Sequence, residues 1–282
     1  KTVTLNGTTA TKTYDGTTAL TGNQITISGL IGGQTLTYSG AAANDANVGS
    51  GNYITSMTLA NGTNGGLASN YVLPTLDATN APVSISPKVV SITGVKTYDA
   101  TTGLTGNQAT MTGMVGSETL TFTGAAANDA NVATANKYFS AMTLADGTNG
   151  GLAANYALPS LTTASANNTV TINPLTVTLN GTTATKTYDG TTALTGNQIT
   201  ISGLIGGQTL TYTGAAANDA NVGSGNFITT LNQTGTNVTT TFDASAATGT
   251  LSFTEAVTND MTIKGSAGAN TFVMGSTLNN KD

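Results

Sequence analysis

The sequence contains no cysteine, histidine, tryptophan or arginine, and only 7% of its 282 residues are charged. Without cysteine no disulfide can staple the fold, so each folding unit has to bury enough apolar surface by itself. The absence of histidine and cysteine excludes the common catalytic triads and zinc sites. Eight lysines in a chain of net charge −5 cannot neutralise a row of phosphates, which argues against nucleic acid as a partner. Runs of 18 or more apolar residues are also missing, so no membrane-spanning helix is predicted.

What the chain has in abundance is threonine and glycine, with 61 Thr and 35 Gly. Threonine suits a pleated strand through its β-branched side chain, and its hydroxyl tolerates water, so such a chain can form sheets with one wet face. The chain begins at Lys1 without a signal peptide, and we expect targeting signals and an anchor elsewhere in a longer protein.

Internal repetition organises the sequence. Lys-Thr-Tyr-Asp begins at Lys12, Lys96 and Lys186, and in each copy Gly-Ala-Ala-Ala-Asn-Asp-Ala-Asn-Val begins 26 residues after the tyrosine. Repeats of 84 and 90 residues are too long for the rungs of a solenoid and suit small sandwich domains. Pro87 and Pro174 each follow an alternating apolar strand. They predict modules over 1–87, 88–174 and 175–282, the last divided into a first half, 175–232, and a β-rich tail, 233–282.

Alternating apolar residues and turn dipeptides predict an all-β fold of tandem immunoglobulin-like β-sandwich modules. In the first module we predict seven strands, at Thr2 to Leu5, Thr11 to Tyr14, Gln24 to Ser28, Thr35 to Tyr38, Tyr53 to Leu59, Asn70 to Leu73 and Val83 to Ser86. Ala41 to Val48 is an alternative single helical turn. Ile25, Ile27, Leu30 and Ile31 are replaced in the second copy by other apolar residues, which indicates packing and not ligand contact.

The third module departs from this plan after Phe227. Short apolar triplets follow at Leu251, Met261 and Thr271, about ten residues apart. They predict either strands that complete the third sandwich or the first rungs of a parallel β-solenoid.

Several separated motifs resemble the YDG module of bacterial surface proteins and the related MBG module. They are Lys12-Thr13-Tyr14-Asp15-Gly16-Thr17-Thr18, the Gly-Leu-Ile-Gly-Gly at Gly29, Asn47-Val48, Asn70-Tyr71 and Ile85-Ser86-Pro87-Lys88, with parallel runs in the other copies. The resemblance covers roughly residues 1 to 230. It implies immunoglobulin-like domains strung in tandem in long exported, adhesin-like surface proteins, and it brings no active site.

The tail from Gly265 to Val273 weakly resembles one turn of the calcium-binding β-roll of RTX and S-layer proteins, Gly-Gly-x-Gly-x-Asp-x-apolar-x. Asn270 stands where that repeat has its ligand aspartate. Because an amide binds calcium more weakly than a carboxylate, the resemblance implies at most a degenerate site.

A calcium site is also predicted in the loop that follows each Gly-Ala-Ala-Ala run, where oxygen ligands cluster. The alternative is that these side chains cap the loop. The candidate ligands are Asn44, Asp45, Asn47, Asn128, Asp129, Asn131, Asn218, Asp219 and Asn221, with Asn270 in the tail.

The Lys-Thr-Tyr-Asp motif itself offers further chemistry. Asp15 beside Gly16 is predicted to form an Asx turn and not to act in catalysis. Lys12 and its equivalents are alternative partners of an intramolecular amide cross-link. The motif tyrosines, Tyr14, Tyr98 and Tyr188, are predicted to be core rings with hydroxyls bonded to the backbone, the alternative being sugar-stacking residues.

The function expected from these features is structural and not enzymatic: stalk or spacer modules of a secreted protein on the bacterial cell surface. The first alternative is a self-assembling S-layer or filament subunit, stabilised by calcium or free of any cofactor. The second is a carbohydrate-binding adhesin module. The expected partners are neighbouring modules, other copies of the protein or a surface glycan.

Overall fold

A computed structural model describes residues 1–5, 10–179, 184–223, 226–234, 238–243, 252–254, 261–264 and 271–273. These residues form strands and single 3₁₀ turns, so the prediction of an all-β chain is confirmed. The strands group into small sheets of two or three members, which fits β-sandwich modules. No helix within the described ranges is long and apolar enough to cross a membrane.

The described residues of the first repeat form five strands and two 3₁₀ turns. Strands β2, β3 and β4 form an antiparallel sheet, while β1 and β5 pair in parallel. Their bounds are Ala10–Thr13 (β1), Ala19–Leu20 (β2), Leu36–Ala43 (β3), Ile54–Asn61 (β4) and Val83–Ser86 (β5), with 3₁₀ turns at Gly22–Gln24 and Ala68–Asn70.

The second repeat follows the same order. Its strands are Lys88–Val89 (β6), Ser91–Thr97 (β7), Ala109–Thr112 (β8), Leu120–Ala127 (β9), Phe139–Asp146 (β10), Tyr156–Ala157 (β11) and Asn168–Asn173 (β12), with 3₁₀ turns at Gly106–Gln108 and Ala153–Asn155. Strand β6 pairs in parallel with β11, β9 pairs with β10, and β7 lies between β12 and β8.

The third repeat begins in the same way and then changes. Its strands are Leu175–Thr178 (β13), Ala193–Leu194 (β14), Thr211–Ala217 (β15), Ile228–Thr234 (β16), Val238–Asp243 (β17), Ser252–Thr254 (β18), Met261–Lys264 (β19) and Thr271–Val273 (β20), with a 3₁₀ turn at Gly196–Gln198. Strands β14, β15 and β16 form an antiparallel sheet.

The tail combines features of both predicted alternatives. Strand β17 pairs in parallel with β13, as β11 does with β6, which is what completion of the third sandwich requires. Strands β17 with β19 and β18 with β20 also pair in parallel. Their registers, Thr240 opposite Met261 and Ser252 opposite Thr271, correspond to steps of 21 and 19 residues, the kind of coil that a solenoid uses.

Two compact units divide the chain by its contacts: Lys1–Thr93, Ala109–Ala125 and Phe139–Thr169 form the first, and Gly94–Gln108, Ala126–Tyr138 and Val170–Asp282 the second. Both include part of the second repeat, and the module boundaries at Pro87 and Pro174 stay a prediction.

Fully buried side chains of the first unit include Leu5, Leu20, Ile54 and Phe139. The second unit has a cluster made by the third repeat alone, Leu194, Ile199, Ala215, Ile228 and Leu231. Each such large apolar side chain contributes roughly 1.5–3 kcal/mol by leaving water.

Strand alternation places the motif side chains on the inner face. In β1, Ala10 and Lys12 are buried while Thr11 and Thr13 are exposed, and Tyr14 continues the inward series. Because successive side chains of a strand point to opposite faces, a lysine between two inward apolar positions has to bury its stem. The sequence therefore buries an ammonium group beside the turn that follows.

A bulge corrects one prediction. Ala41 to Val48 does not begin with a helical turn, since β3 continues to Ala43. The register with β4 shifts between Ser39 and Ala42, around Gly40 with its φ of 61°. A residue with positive φ inside a strand is a common cause of such a bulge, and glycine adopts it without steric cost.

Candidate functional site

The buried ammonium of Lys12 lies in a cage of oxygen atoms supplied by the turn that follows it. Its Nζ lies 2.7 Å from Oδ1 of Asp15 and donates to the carbonyl oxygens of Thr17 at 2.8 Å and Ala19 at 2.9 Å. A buried charge is tolerated only when it is paired and its hydrogen bonds are satisfied, and this cage provides both. The cage thereby fixes the path of the Asp15–Ala19 turn.

The same cage is built in all three repeats. Lys96 Nζ lies 2.6 Å from Oδ1 of Asp99 and donates to the carbonyl oxygen of Gly103 at 2.7 Å. Lys186 Nζ lies 2.8 Å from Oδ1 of Asp189. These are ion pairs in the structure, and a covalent amide at these lysines stays a prediction that the intact mass of the protein decides.

The aspartate of each cage forms the predicted Asx turn. Asp15 Oδ1 accepts hydrogen bonds from the backbone N–H and the hydroxyl of Thr17, both at 2.9 Å, so that prediction is confirmed. Burial alone would raise the pKa of Asp15, but hydrogen bonds from Lys12 and Thr17 outweigh it and hold the pKa below its ordinary value. In the third repeat the hydrogen bond from Lys186, together with those from Thr191, lowers the pKa of Asp189 to about 2.

The residue after the motif tyrosine and aspartate has a positive φ in every copy. Gly16 has a φ of 77° and Gly190 of 76°, and Ala100, which takes their place in the second repeat, keeps a φ of 63°. The conformation is therefore a property of the turn and survives the loss of glycine.

The motif tyrosine of the first repeat contacts the second repeat. Tyr14 donates its hydroxyl hydrogen to Oε1 of Glu118 at 2.7 Å, and Tyr156 donates to Oε2 of the same carboxylate at 2.6 Å. The two rings meet edge to face with centroids 5.4 Å apart. Hydroxyl hydrogen bonds to a carboxylate at these distances are among the strong ones. Burial, followed by the hydrogen bond to Glu118, raises the pKa of Tyr14 to about 12.

A second set of contacts surrounds this tyrosine. Asn155, which is fully buried, accepts a hydrogen bond from the backbone N–H of Val48 at 2.8 Å and donates its amide to Oδ1 of Asn47 at 2.7 Å. A Cβ placed on Gly16 would lie 2.9 Å from Cγ1 of Val115, so the turn of the first repeat closely approaches the second. Together with the tyrosine contacts, these bonds form what we call the first joint.

A second joint links the second and third repeats. The side-chain amide of Gln208 donates to the hydroxyl oxygen of Tyr98 at 2.6 Å. Gln208 occupies in the third repeat the position that Glu118 occupies in the second and Gln34 in the first. Both joints thus use the tyrosine of one repeat and one polar residue at a fixed position of the next.

The predicted role of the tyrosines is therefore only partly right. Tyr14 and Tyr98 are buried rings, each 4% exposed, but their hydroxyls bind side chains of the following repeat and not the backbone. Tyr188 is 60% exposed. Ile31 is also not a core residue, since 58% of its surface is exposed. Residues of two repeats meet at the joint, and the pattern of one repeat alone does not show that meeting.

The predicted calcium ligands bond within their own loops, except that Oδ1 of Asn47 accepts the amide of Asn155 at the first joint. Asp45 Oδ1 accepts hydrogen bonds from the backbone and side chain of Asn47, at 3.0 and 2.9 Å, and Asn44 accepts one from the backbone N–H of Tyr53 at 2.8 Å. The equivalent bonds recur at Asn128, Asp129, Asn131, Asn218, Asp219 and Asn221. Hydrogen bonds led by the backbone N–H of Asn131 lower the pKa of Asp129.

These contacts are those of loop caps, and they engage Oδ1 of the three aspartates and of Asn44, Asn128 and Asn218. Among the described residues, no three acidic, cysteine or histidine side chains come together as a metal cluster. Calcium binding at the three loops stays a prediction. Of the β-roll resemblance, residues 265–270, which include Asn270, lie outside the described residues.

Three residues that form the joints were not identified from the sequence. They are Glu118, Gln208 and Asn155. A signal for the first two was present, because a glutamine or glutamate follows the Gly-Leu/Met-Ile/Val-Gly run at the same distance in each repeat. Among the described side chains, the joint brings together hydroxyls, amides and one carboxylate in mutual hydrogen bonds. Such an arrangement holds surfaces together.

The fold and the joints define a class of protein, tandem all-β repeats in which the motif tyrosines of the first and second repeats, Tyr14 and Tyr98, bind the repeat that follows. The chain belongs to the YDG domain family. The model of this family matches residues 1–82, 79–166 and 171–239. In comparisons with curated proteins and with solved structures, the chain matched none.

Proposed function

We propose that the three YDG repeats are spacer modules of a secreted, adhesin-type protein of the bacterial cell surface, and that they transmit mechanical load without catalysing a reaction. The single observation that carries the proposal is the joint, in which the tyrosine of the family motif is buried by the following repeat at Tyr14 and at Tyr98. A spacer needs its modules to resist bending and separation, and buried hydrogen bonds between neighbours supply that resistance.

Three properties of the chain support this role. Its low charge limits electrostatic repulsion between neighbouring modules. The cages at Lys12, Lys96 and Lys186 hold the turn that presents each tyrosine. The shifted pKa values of Tyr14, Asp15 and Asp129 are explained by their hydrogen bonds in a joint, a turn and a loop, and by burial in the case of Tyr14, so these shifts do not require a catalytic role.

Deletion of residues 88–174 tests the spacer role. It fuses the first repeat to the third, so that Tyr14 faces Gln208 in place of Glu118, a pairing that Tyr98 already makes. We expect the shortened protein to fold, and surface structures seen by negative-stain electron microscopy of the native cells to become shorter. A regular lattice on those cells, with a spacing that the deletion abolishes, would instead favour an S-layer subunit.

The alternative of a self-assembling S-layer or filament subunit rests on the exposure of Tyr188 and Val222, which is 89% exposed. Calcium belongs to this alternative. Isothermal titration of the full chain decides it: heat on addition of calcium together with a calcium-dependent rise in melting temperature supports the predicted loop sites. Loss of both in Asp45→Asn, with Asp77→Asn as the control, would place the ion at the first loop.

The third function, binding of carbohydrate by the motif tyrosines, is disfavoured by their burial at both joints. Only Tyr188 presents its ring to solvent among the three. A glycan array probed with the full chain and with Tyr188→Ala tests it. Binding that the substitution abolishes would make the third repeat an adhesin module.

A further inference from the structure

The same motif has opposite exposures at different places in the chain. Residues 12–18 and 186–192 are identical in sequence, yet Tyr14 is 4% exposed and Tyr188 is 60% exposed. Because the local sequence is identical, the difference comes from what covers the ring. Glu118 and Tyr156 of the second repeat cover the side chain of Tyr14, whereas most of the surface of Tyr188 is exposed to solvent.

Other positions of the joint show the same contrast. Val48 is half-buried at the first joint, while its equivalent in the third repeat, Val222, is 89% exposed. On the receiving side, Val115 is half-buried and its equivalent in the first repeat, Ile31, is 58% exposed. Val222 and Ile31 are therefore exposed at positions whose equivalents, Val48 and Val115, are half-buried at the first joint.

The receiving side of the first repeat also has a suitable polar group. Tyr71 donates its hydroxyl hydrogen to Oε1 of Gln34 at 2.6 Å, as Tyr156 does to Glu118. This bond orients the side-chain amide of Gln34 and leaves its nitrogen to donate, which is how Gln208 binds Tyr98.

We propose that two copies of this chain associate head to tail, with the Tyr188 surface (Tyr188, Gly190 and Val222) of one copy bound to the Gln34 surface (Ile31, Gln34, Asn70 and Tyr71) of the next. The amide of Gln34 donates to the hydroxyl of Tyr188, and Val222 and Ile31 lose their exposure. The contact is heterologous, so the association of copies of these 282 residues leaves one unbound surface of each kind at the two ends of every product, and the products are open chains.

This association goes beyond the spacer role, since modules can act as spacers without binding a second copy. The joints within the chain form between tethered partners at high effective concentration, whereas two separate copies lack that advantage. The association is therefore concentration-dependent, and it strengthens wherever copies are crowded or anchored side by side.

Engineered disulfides test the proposal, because the chain has no cysteine to interfere. At the first joint a Cβ on Gly16 would lie 3.9 Å from Cβ of Val115, within the roughly 3.5–4.5 Å of disulfide bonds. The pair Gly16→Cys with Val115→Cys should close within one chain and serves as the positive control. Ala100 shows that this turn accepts a Cβ at positive φ.

The corresponding positions on the two exposed surfaces are Gly190 and Ile31. We expect Ile31→Cys with Gly190→Cys, under mild oxidation, to give a ladder of dimers, trimers and larger species on a non-reducing gel. The matched control is Val89→Cys with Val95→Cys, whose positions are 54% and 55% exposed and lie on neither surface. Addition of Tyr188→Ala should remove the ladder. A ladder no stronger than that of the control, or dimers alone, overturns the proposal.

Sedimentation equilibrium of the unmodified chain gives an independent measurement. The average mass should rise between micromolar and about millimolar concentration for the wild type and stay monomeric for Tyr188→Ala. A wild-type mass that stays monomeric over this range contradicts head-to-tail association and leaves the spacer role intact.

Discussion

The hydroxyl of Tyr14 lies 2.7 Å from Oε1 of Glu118, a residue 104 positions further along the chain. The tyrosine belongs to the most regular motif of one repeat, and the carboxylate belongs to a variable position of the next. A contact between them means that the motif does more than close a turn. It presents a ring and a hydroxyl to the neighbouring repeat.

Removal of the hydroxyl alone should weaken this joint. We expect Tyr14→Phe to lower the free energy of unfolding by about 1–3 kcal/mol, because a partly buried carboxylate oxygen loses its donor. Urea unfolding followed by circular dichroism measures the effect. Tyr188→Phe, in an identical local sequence, is the control and should change stability by less than about 0.5 kcal/mol. Equal losses in the two variants would show that the hydroxyl acts within its own turn.

Position 118 should tolerate the amide of glutamine better than the methyl group of alanine. We expect Glu118→Ala to lower the free energy of unfolding by roughly 2–4 kcal/mol, since Tyr14 and Tyr156 both lose a charged acceptor. Glu118→Gln should lose clearly less, because its amide can accept from one hydroxyl and donate to the other, and glutamine already stands at positions 34 and 208. The same denaturation measurements compare the two variants, and an equally severe Gln variant would contradict this geometry.

Alkali should destabilise the first joint. The pKa of Tyr14 is raised from 10.0 to about 12 in the folded chain, so above pH 10 the unfolded chain releases a proton that the folded chain keeps. The contribution of the Tyr14 hydroxyl to the free energy of unfolding is therefore complete below pH 10 and is lost as the pH rises to about 12. Melting temperatures between pH 9 and 12 should fall less steeply in Tyr14→Phe than in the wild type. Parallel curves would mean that this tyrosine ionises freely.

The lysine cage should contribute most to the free energy of unfolding in the repeat where its lysine is most buried. Lys12→Met keeps the length of the stem but leaves the carbonyls of Thr17 and Ala19 without their donor, which should cost roughly 1–3 kcal/mol. The side chain of Lys186 is 14% exposed, against 0% for Lys12, so Lys186→Met should cost less. Chemical denaturation of the two variants ranks them, and the reverse order would contradict the part assigned to burial.

Acid should destabilise the motif turns in a defined range. The pKa values of Asp15, Asp99 and Asp189 are lowered from 3.8, that of Asp189 to about 2. Their contribution is complete above about pH 4 and is lost as the pH falls through the folded-state pKa values. Melting temperatures should therefore fall between pH 4 and 2, and a variant with asparagine at all three positions should show a flatter profile there. An unchanged profile would place the acid sensitivity elsewhere.

Much of the fold can be predicted from the sequence. Alternation in Val83–Ser86 and the motif strand before Tyr14 marks true strands, and Asp15 beside Gly16 marks the Asx turn. These features depend on neighbouring residues, and their signals lie within a few positions. The helical turn predicted from Ala41 fails because a bulge at Gly40 carries the strand onward, and alanine runs favour either conformation until pairing decides.

The joint could not be predicted from one repeat. A tyrosine on the inner face of a strand has the same pattern whether its neighbours come from its own module or from the next. Tyr14 and Tyr188 share one local sequence and differ widely in exposure, so no local rule can distinguish them. Only the comparison of equivalent positions across repeats, Gln34 with Glu118 and Gln208, points to the shared polar partner of the motif tyrosine.

Every repeat encodes both halves of a joint, a tyrosine near its start and a glutamine or glutamate twenty residues later. In-frame duplication of the corresponding DNA therefore creates a new, complete connection without any compensating mutation. Residues 2–52 and 176–226 differ only at Ser39 and Thr213, which is what a recent duplication would leave. Unequal recombination can thus lengthen or shorten the array by whole repeats, and the number of connected repeats can change faster than the sequence within a repeat.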